Sequence, residues 1–294
     1  MKKIITIFTL LILSLGLVSC KNNKQSDIIT SSYFQYDIVK NIVGNKLSYE
    51  LLTPPGVEMH DFEPSSKQII KIKKSQLFIF TSYKIDTWLN NDVEATFGKI
   101  NFLNLQEKVD NDDFHYWTNT LTFLQSLTFV KDEIVKLDPT NESFYEKNYE
   151  NYYNKILNLH NEMKEKISSF NNNKIFFAGH NALQSFEQLY NLNITAISES
   201  NKPDSEIVST QIKEMINNIK LNNAKYLFVE ELSDLKVANT IKNELEKQNY
   251  NISLLELHSY HNLSKDDFNN NITYYNLLLR NFKNLSLALG DNNE

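Results

Sequence analysis

The sequence predicts an α/β protein made of two (β/α) lobes with mainly parallel sheets, joined by one long backbone helix. Short apolar runs alternate with segments of helical periodicity along most of the chain, which is typical of βα units. In addition, residues 139–169 contain no glycine, and no proline after Pro139. At about 1.5 Å per residue, such a helix would extend roughly 45 Å and could cross a whole domain.

The first lobe is predicted to cover residues 28–137. It begins with a strand near Ile29, followed by the helix YFQYDIVKNIVG, whose apolar spacing and final glycine are helix signals. Strand LSYELLT comes next. The segment EPSSKQIIKIKKS then predicts a helix with Pro64 near its start. Strand LFIFT (77–81) is apolar throughout, as in a buried parallel strand.

The linking helix is predicted at residues 138–170 and the second lobe at residues 171–294. Strand and helix alternate again after Asn171-Asn172-Asn173. The predicted order is strand IFFA, helix NALQSFEQLYNL, strand ITAIS, a helix at 205–221, strand KYLFVE, helix SDLKVANTIKNELEKQ, strand ISLLEL and a final helix at 272–289.

The N-terminus carries a targeting signal. A basic start (Met1 to Lys3) precedes an apolar run at residues 4–17 that is short for a membrane span. The run ends in LVSC, which resembles a bacterial lipobox and implies that Cys20 is lipidated. Residues 1–19 would then be a signal peptide and residues 20–27 a lipidated tether on the outer face of the cell membrane or in the periplasm. An ordinary signal peptide or an uncleaved anchor remains the alternative.

Composition restricts the function classes. With 41% hydrophobic and 22% charged residues the chain is expected to be globular. The net charge of −6 argues against a nucleic-acid partner. Because Cys20 is the only cysteine, an exported form has no internal disulfide and its core must hold the fold.

Four of the six histidines share a context that favours metal binding. His60, His180 and His261 follow predicted strands, and His115 precedes a helix. Ligands of α/β sheets bind outside the carboxyl ends of the strands, so a site between the lobes could collect all four. Four imidazole nitrogens suit Zn²⁺, whereas Mn²⁺ favours more carboxylate oxygen. The alternative is that each is an ordinary polar residue at a strand end.

The other two histidines are given different roles. His160 lies inside the long polar helix and is expected to be a solvated surface residue. His258 lies next to Leu257 at a strand end, where it would support the ligands or replace one of them.

Several of these segments resemble the metal-binding solute receptors of ABC importers (the ZnuA/TroA-like, cluster A-I family). The run PPGVEMHDFEPSSKQIIKIKKSQLFIFTS resembles the family's first histidine motif and implies His60 as a ligand. DFHYW matches the second motif at His115, with Phe114 in place of a proline. FFAGHNALQSFEQLYNL places the third ligand at His180, and KYLFVEELSDLKVANTIKNE resembles the family's Phe-x-Glu segment. The resemblance runs from about Ile29 to Leu287.

The fourth ligand position is usually an acid in this family. Aligning LHSYHNLS in two ways puts either His261 or His258 there. His261 is preferred because Asn262-Leu263-Ser264 continues the family's Gly-Leu-Thr pattern.

The resemblance implies an extracytoplasmic, lipid-anchored and monomeric receptor that captures a divalent metal ion between its lobes and delivers it to a membrane permease. A histidine at the third position goes with zinc in this family, so His180 favours Zn²⁺, with Mn²⁺ as the alternative. The family's histidine-rich loop is missing, since residues 97–113 contain no histidine. The long helix implies a stiff hinge and a small closure.

Three other classes of protein are the alternatives to a metal receptor. A zinc-dependent hydrolase would need an open metal position and a base such as Glu58, Asp61 or Glu230, and the sequence has no HExxH motif. A vitamin or siderophore receptor would need an aromatic or basic pocket. A surface adhesin role could coexist with metal binding. The sequence therefore predicts a binding protein and not an enzyme.

Overall fold

Two parallel four-stranded sheets dominate the computed structural model, which describes residues 25–180, 182–200 and 207–290. The strand orders are β2-β1-β3-β4 and β6-β5-β7-β8, so the two sheets have the same topology. The strands are β1 Ile28–Thr30, β2 Tyr49–Leu51, β3 Leu77–Phe80, β4 Phe102–Asn104, β5 Lys174–Ala178, β6 Asn193–Ala196, β7 Tyr226–Val229 and β8 Ser253–Glu256.

Helices connect the strands and cover both sheets, as parallel pairing requires. They are α1 Tyr33–Val43, α2 Ser66–Lys74, α3 Val93–Phe97, α4 Thr120–Leu137, α5 Glu142–Ser168, α6 Gln184–Tyr190, α7 Ser209–Leu221, α8 Lys236–Glu246, α9 Lys265–Asn269 and α10 Tyr274–Gly290. Short 3₁₀ turns lie at Thr87–Leu89, Tyr116–Thr118 and Pro139–Asn141. None of the helices in the described ranges is long and apolar enough to cross a membrane.

Both faces of each sheet are buried. In β3, Ile79 belongs to a large core between the two sheets, whereas Phe80 packs in a separate cluster on the outer face. In β5, Phe177 and Phe176 divide in the same way between the central core and the second lobe's outer cluster. The side-chain period of two therefore produces three apolar layers, which explains why these strands read as continuous apolar runs.

The long helix α5 packs into the central core. Its buried apolar residues recur three, four or seven positions apart, which places them on one face of the helix. They are Tyr145, Tyr152, Ile156, Leu159, Met163 and Ile167. With 27 residues the helix is about 40 Å long. It contacts α1, α4 and α10.

The α/β class, the two parallel sheets and the long helix confirm the fold prediction. The helix begins slightly later than predicted because Pro139 starts a 3₁₀ turn instead. Strand β4 was not predicted, since its three residues are too few to show a period. The lobe boundaries at 137–138 and 170–171 stay a prediction, because the central core is continuous across them. Cys20 and the predicted signal peptide lie outside the described residues.

The expectation that His160 is solvent-exposed is wrong. Its side chain is buried, and its Nδ1 lies 3.0 Å from the hydroxyl of Tyr190. That hydroxyl also lies 3.0 Å from Thr120 Oγ1. His160 follows Ile156 by four residues, so it lies on the apolar face of α5 despite its polar neighbours.

Candidate metal centre

Each predicted ligand lies in a loop after a strand. His60 follows β2 and a Pro-Pro-Gly turn, and His115 lies in the long loop between β4 and α4. His180 is separated from the end of β5 by Gly179 alone, and His261 lies in the loop after β8. All four rings are buried. The parallel topology thus collects residues 55 to 201 positions apart at the carboxyl edges of the two sheets.

Three of the imidazoles meet through their Nε2 atoms. The Nε2 of His115 lies 3.3 Å from that of His60 and 3.5 Å from that of His180. One ring nitrogen from each of the three lies within 4.8 Å of the others. With Zn–N bonds of about 2.0–2.1 Å, two nitrogens of a tetrahedral site are about 3.3–3.4 Å apart. The spacing therefore suits a small tetrahedral cation.

His261 completes the group from the other side. Its ring centroid is 5.8 Å from that of His60 and 6.3 Å from those of His115 and His180. Its Nε2 lies 3.8 Å from Glu58 Oε1. It is not part of the three-histidine group defined by close nitrogens.

Buried carboxylates orient two of these rings from behind. The Nδ1–H of His180 donates to Glu230 Oε2 at 2.8 Å. The hydroxyl of Ser259 donates to Glu231 and lies 2.8 Å from His261 Nδ1, so it can accept that nitrogen's proton. In the neutral form of both rings the hydrogen bond fixes the proton on Nδ1, so that the lone pair of Nε2 can bind a metal.

His115 is oriented by aromatic packing. Its ring stands edge-on to Trp117 at 5.3 Å and lies 5.0 Å from the ring of Phe114. Its Nδ1 is buried without a hydrogen-bond partner among the described residues.

His258 forms hydrogen bonds within the loop that follows β8. Its Nδ1 accepts the backbone N–H of Tyr260 at 2.8 Å. Its own backbone N–H and C=O both bond the side-chain amide of Asn281. Tyr260 has φ +65°, a strained value for a residue with a side chain. His258 thus helps to hold the bent loop that presents His261.

Comparison with known proteins agrees with this geometry. Residues 28–288 match the model of the family described as ZnuA, zinc-uptake complex component A, periplasmic. The chain belongs to the ZnuA family. This is a family of metal-binding solute receptors and not of enzymes, as the sequence predicts.

The chain's relatives are named for different metals. It is 26% identical to the high-affinity zinc uptake system protein ZnuA of Bacillus subtilis, across 95% of this chain and 94% of that protein. It is 25% identical to the manganese ABC transporter substrate-binding lipoprotein ScaA of Streptococcus gordonii, across 83% of this chain and 87% of that protein. The solved Zn(II)-bound ZnuA-like domain of AdcA from Streptococcus pneumoniae shares the fold, with a TM-score of 0.77 at 23% identity, covering 90% of this chain and 99% of the domain.

The charges around the histidines shape their protonation in this ZnuA-family protein. Burial lowers the pKa of His115 well below its usual range, and its three histidine neighbours lower it further. Burial also acts to lower the pKa of His261, but Glu58, together with Glu231 and Glu230, outweighs burial and raises that pKa to about 9. Burial would raise the pKa of Glu58, yet the same contact lowers it to about 2. Burial raises the pKa of Glu231 to about 8.

A cavity of about 400 Å³ adjoins these carboxylates. Its described lining includes Glu58, Glu230, Glu231 and Asp234, and Lys236 is the one basic residue among the described residues that line it. A cleft dominated by one sign of charge raises the local concentration of the opposite ion. The surroundings of the histidines therefore favour a cation.

Sequence reasoning missed the residues behind the ligands. Glu230 is named in the sequence analysis only as a possible catalytic base and as part of the Phe-x-Glu resemblance, and Glu231 and Ser259 are not singled out there. The usable signal is position: both glutamates directly follow buried strand β7, at the same sheet edge as His180. The contact of Ser259 with His261 depends on the bend at Tyr260, which the residue types do not show.

Gly179 is expected to be required at this edge. A Cβ built there would lie 2.5 Å from the buried ring of Phe177 and 3.1 Å from Glu230 Oε2. We expect Gly179→Ala to lower the free energy of unfolding by about 1–3 kcal/mol and to weaken metal binding by displacing Glu230 from His180. Urea unfolding of the metal-free protein and a metal titration measure the two effects. Wild-type values in both would show that the strand end has room for a methyl group.

Proposed function

We propose that this protein is the metal-capturing receptor of an ABC importer, with Zn²⁺ as its cargo. The observation that carries the proposal is the convergence of three Nε2 atoms at separations that suit tetrahedral zinc. The ion would be held by His60, His115 and His180, with His261 as the fourth ligand.

His261 is preferred to His258 as the fourth ligand. The ring centroid of His261 lies 5.8 Å from that of His60, and the contact with Ser259 occupies only its Nδ1. His258 uses its Nδ1 within its own loop. A set of four imidazoles leaves no open position for a substrate or catalytic water, which separates this centre from that of a zinc hydrolase.

The donor set also bears on the choice of metal. All four proposed ligands are nitrogens, whereas the nearby carboxylates of Glu230 and Glu231 are engaged with a ligand imidazole and with Ser259. Nitrogen-rich tetrahedral sites favour Zn²⁺, and Mn²⁺ favours oxygen-rich octahedral ones. Manganese is therefore the second candidate, supported by relatives named for it.

The finer parts of the proposal concern location and partners. We infer that Cys20 is lipidated and anchors a monomeric receptor outside the cytoplasm, where it passes the ion to a membrane permease. Several relatives are named as lipoproteins, and the lipobox-like LVSC supports the same arrangement here. Mass spectrometry of the mature protein from membranes would detect the acyl chains on Cys20.

Metal-dependent stability tests the proposal. A cation that binds only the folded state stabilises it by RT ln(1 + [L]/Kd), about 4 kcal/mol at 1,000 times Kd. We expect Zn²⁺ to raise the melting temperature of EDTA-stripped protein strongly and Mn²⁺ to raise it less. If neither ion changes the melting temperature, the receptor function is wrong. If Mn²⁺ stabilises more than Zn²⁺, the cargo is manganese.

A further inference from the structure

A tight turn precedes the first predicted ligand. The backbone N–H of Val57 donates to Pro54 C=O at 3.2 Å, which closes a four-residue turn. Pro55 and Gly56 occupy its centre, and Gly56 has φ +82°. Proline at the second position and a positive φ at the third describe a type II turn. The two prolines and the glycine thus fix the backbone three residues before His60.

Asn262 clamps this turn from the other end of the chain. Its Nδ2 donates to Pro54 C=O at 3.0 Å and to Val57 C=O at 2.6 Å. Its Oδ1 accepts the backbone N–H of Leu263 at 2.8 Å. The backbone N–H of Gly56 donates to Leu263 C=O at 2.7 Å. Asn262 is 1% exposed, and both donors of its amide are used.

The clamp joins two ligand segments without using any ligand. Asn262 directly follows His261, and the clamped turn leads into His60. The bonds run between main chain and one amide, so their formation does not require a bound cation. Two further hydrogen bonds connect the His261 loop to residues that precede the long helix. Tyr33 N–H donates to His261 C=O, and Trp117 Nε1–H donates to Ser259 C=O.

The other two ligand segments are tied in a comparable way. The carboxylate of Asp113 accepts the backbone N–H of His115 at 3.2 Å and that of Ser185 at 2.9 Å. Ser185 lies in α6, which begins four residues after His180. Each pair of ligands is therefore held by a side chain close to one of them in the chain.

We propose that Asn262 is a positioning residue for the metal, which assembles His60 and His261 before the ion arrives. The inference rests on the proposed function of the preceding subsection. A site that is already assembled binds with its intrinsic affinity, whereas a site assembled only part of the time binds more weakly by that fraction. The clamp keeps the competent fraction high.

Stopped-flow kinetics of Zn²⁺ binding test the proposal with Asn262→Ala. If loss of the Asn262 amide lowers the fraction of metal-free molecules with an assembled site to about one tenth, the association rate constant falls about tenfold. The dissociation rate constant stays unchanged, because the bound ion itself holds the ligands together. The matched control is Asn284→Ala, which removes an amide that donates to Glu256 C=O within the second lobe. We expect that variant to bind zinc at the wild-type rate.

Hydrogen exchange of the Gly56 amide gives a second readout that does not depend on metal binding. In metal-free wild-type protein this amide should be protected, and in metal-free Asn262→Ala it should exchange faster. Saturating Zn²⁺ should restore protection in the variant.

Three results would overturn the inference: a wild-type association rate in Asn262→Ala, a loss that appears only in dissociation, or a Gly56 amide that is unprotected in the metal-free wild type. Failure of the proposed function is distinguishable from these. A wild-type protein that bound neither Zn²⁺ nor Mn²⁺ would refute the receptor function, while exchange at Gly56 would still report whether the clamp forms.

Discussion

Replacing His180 by alanine is expected to weaken zinc binding by at least about 100-fold. Loss of a partner behind a ligand already costs about 10–100-fold in metal affinity, and His180→Ala removes the ligand nitrogen itself. It also leaves the buried Glu230 carboxylate without the imidazole N–H that now bonds it, and an unpaired buried carboxylate is costly. Competition titration with a chelator of known zinc affinity measures the effect.

Two variants show whether such a loss comes from the metal centre. Glu230→Gln keeps the size of the side chain but removes its charge, so it should weaken zinc binding less than His180→Ala does, by about 10–100-fold. His160→Ala removes a buried imidazole that bonds Tyr190 away from the centre. It should lower the free energy of unfolding and leave the zinc affinity unchanged. Equal zinc affinity in His180→Ala and wild type would exclude His180 as a ligand.

The fold was largely readable from the sequence because its signals are local. Strands such as LFIF are buried on both faces, so they stand out as apolar runs. Helix α5 is long and free of glycine and proline. The error at His160 shows the limit of reading polarity residue by residue. Its neighbours Asn158 and Asn161 are polar, but its i−4 neighbour Ile156 is buried, and the helical period decides which face it occupies.

The candidate ligands were readable for a similar reason. Strand ends mark where a parallel sheet binds its ligand, and histidine is uncommon enough in this chain that three candidate ligands after predicted strands are informative. The hydrogen bonds that support the ligand histidines and their loops could not be predicted from the sequence. The contact of Glu231 with Ser259 joins positions 28 apart, and that of Asn262 with Pro54 joins positions 208 apart. Neither has a sequence spacing that signals it.

The pH dependence of binding depends on another contact between residues far apart in the sequence, that of Glu58 with His261. From the ordinary pKa of histidine, zinc affinity would be expected to fall only below about pH 6.5. In the structure, burial acts to lower the pKa of His261, but Glu58, with smaller contributions from Glu231 and Glu230, raises it to about 9. At neutral pH the imidazole of His261 in the metal-free protein is therefore positively charged. Its second proton must leave when the imidazole binds Zn²⁺. His115 adds no such requirement, because burial keeps its pKa low.

We therefore expect one proton to be released per zinc bound at pH 7, and the apparent Kd to rise about tenfold for each pH unit lowered below 9, because His261 holds a proton in this range. Between pH 8.5 and 6.5 this amounts to about 100-fold. Calorimetric titration in buffers of different ionisation enthalpy counts the protons, and the same titrations give Kd.

This linkage can be weakened by changing a single residue. Glu58→Gln removes the charge that contributes most to raising the pKa of His261, while burial still acts to lower that pKa, so the pKa of His261 should fall. The variant should release fewer protons and show a flatter dependence of Kd on pH. Near pH 6.5 it should lose less affinity relative to pH 8.5 than the wild type does. If both proteins give the same slope, Glu58 does not set the protonation of His261. The charge of Glu58 would then have no effect on the proton that His261 releases when the protein binds zinc.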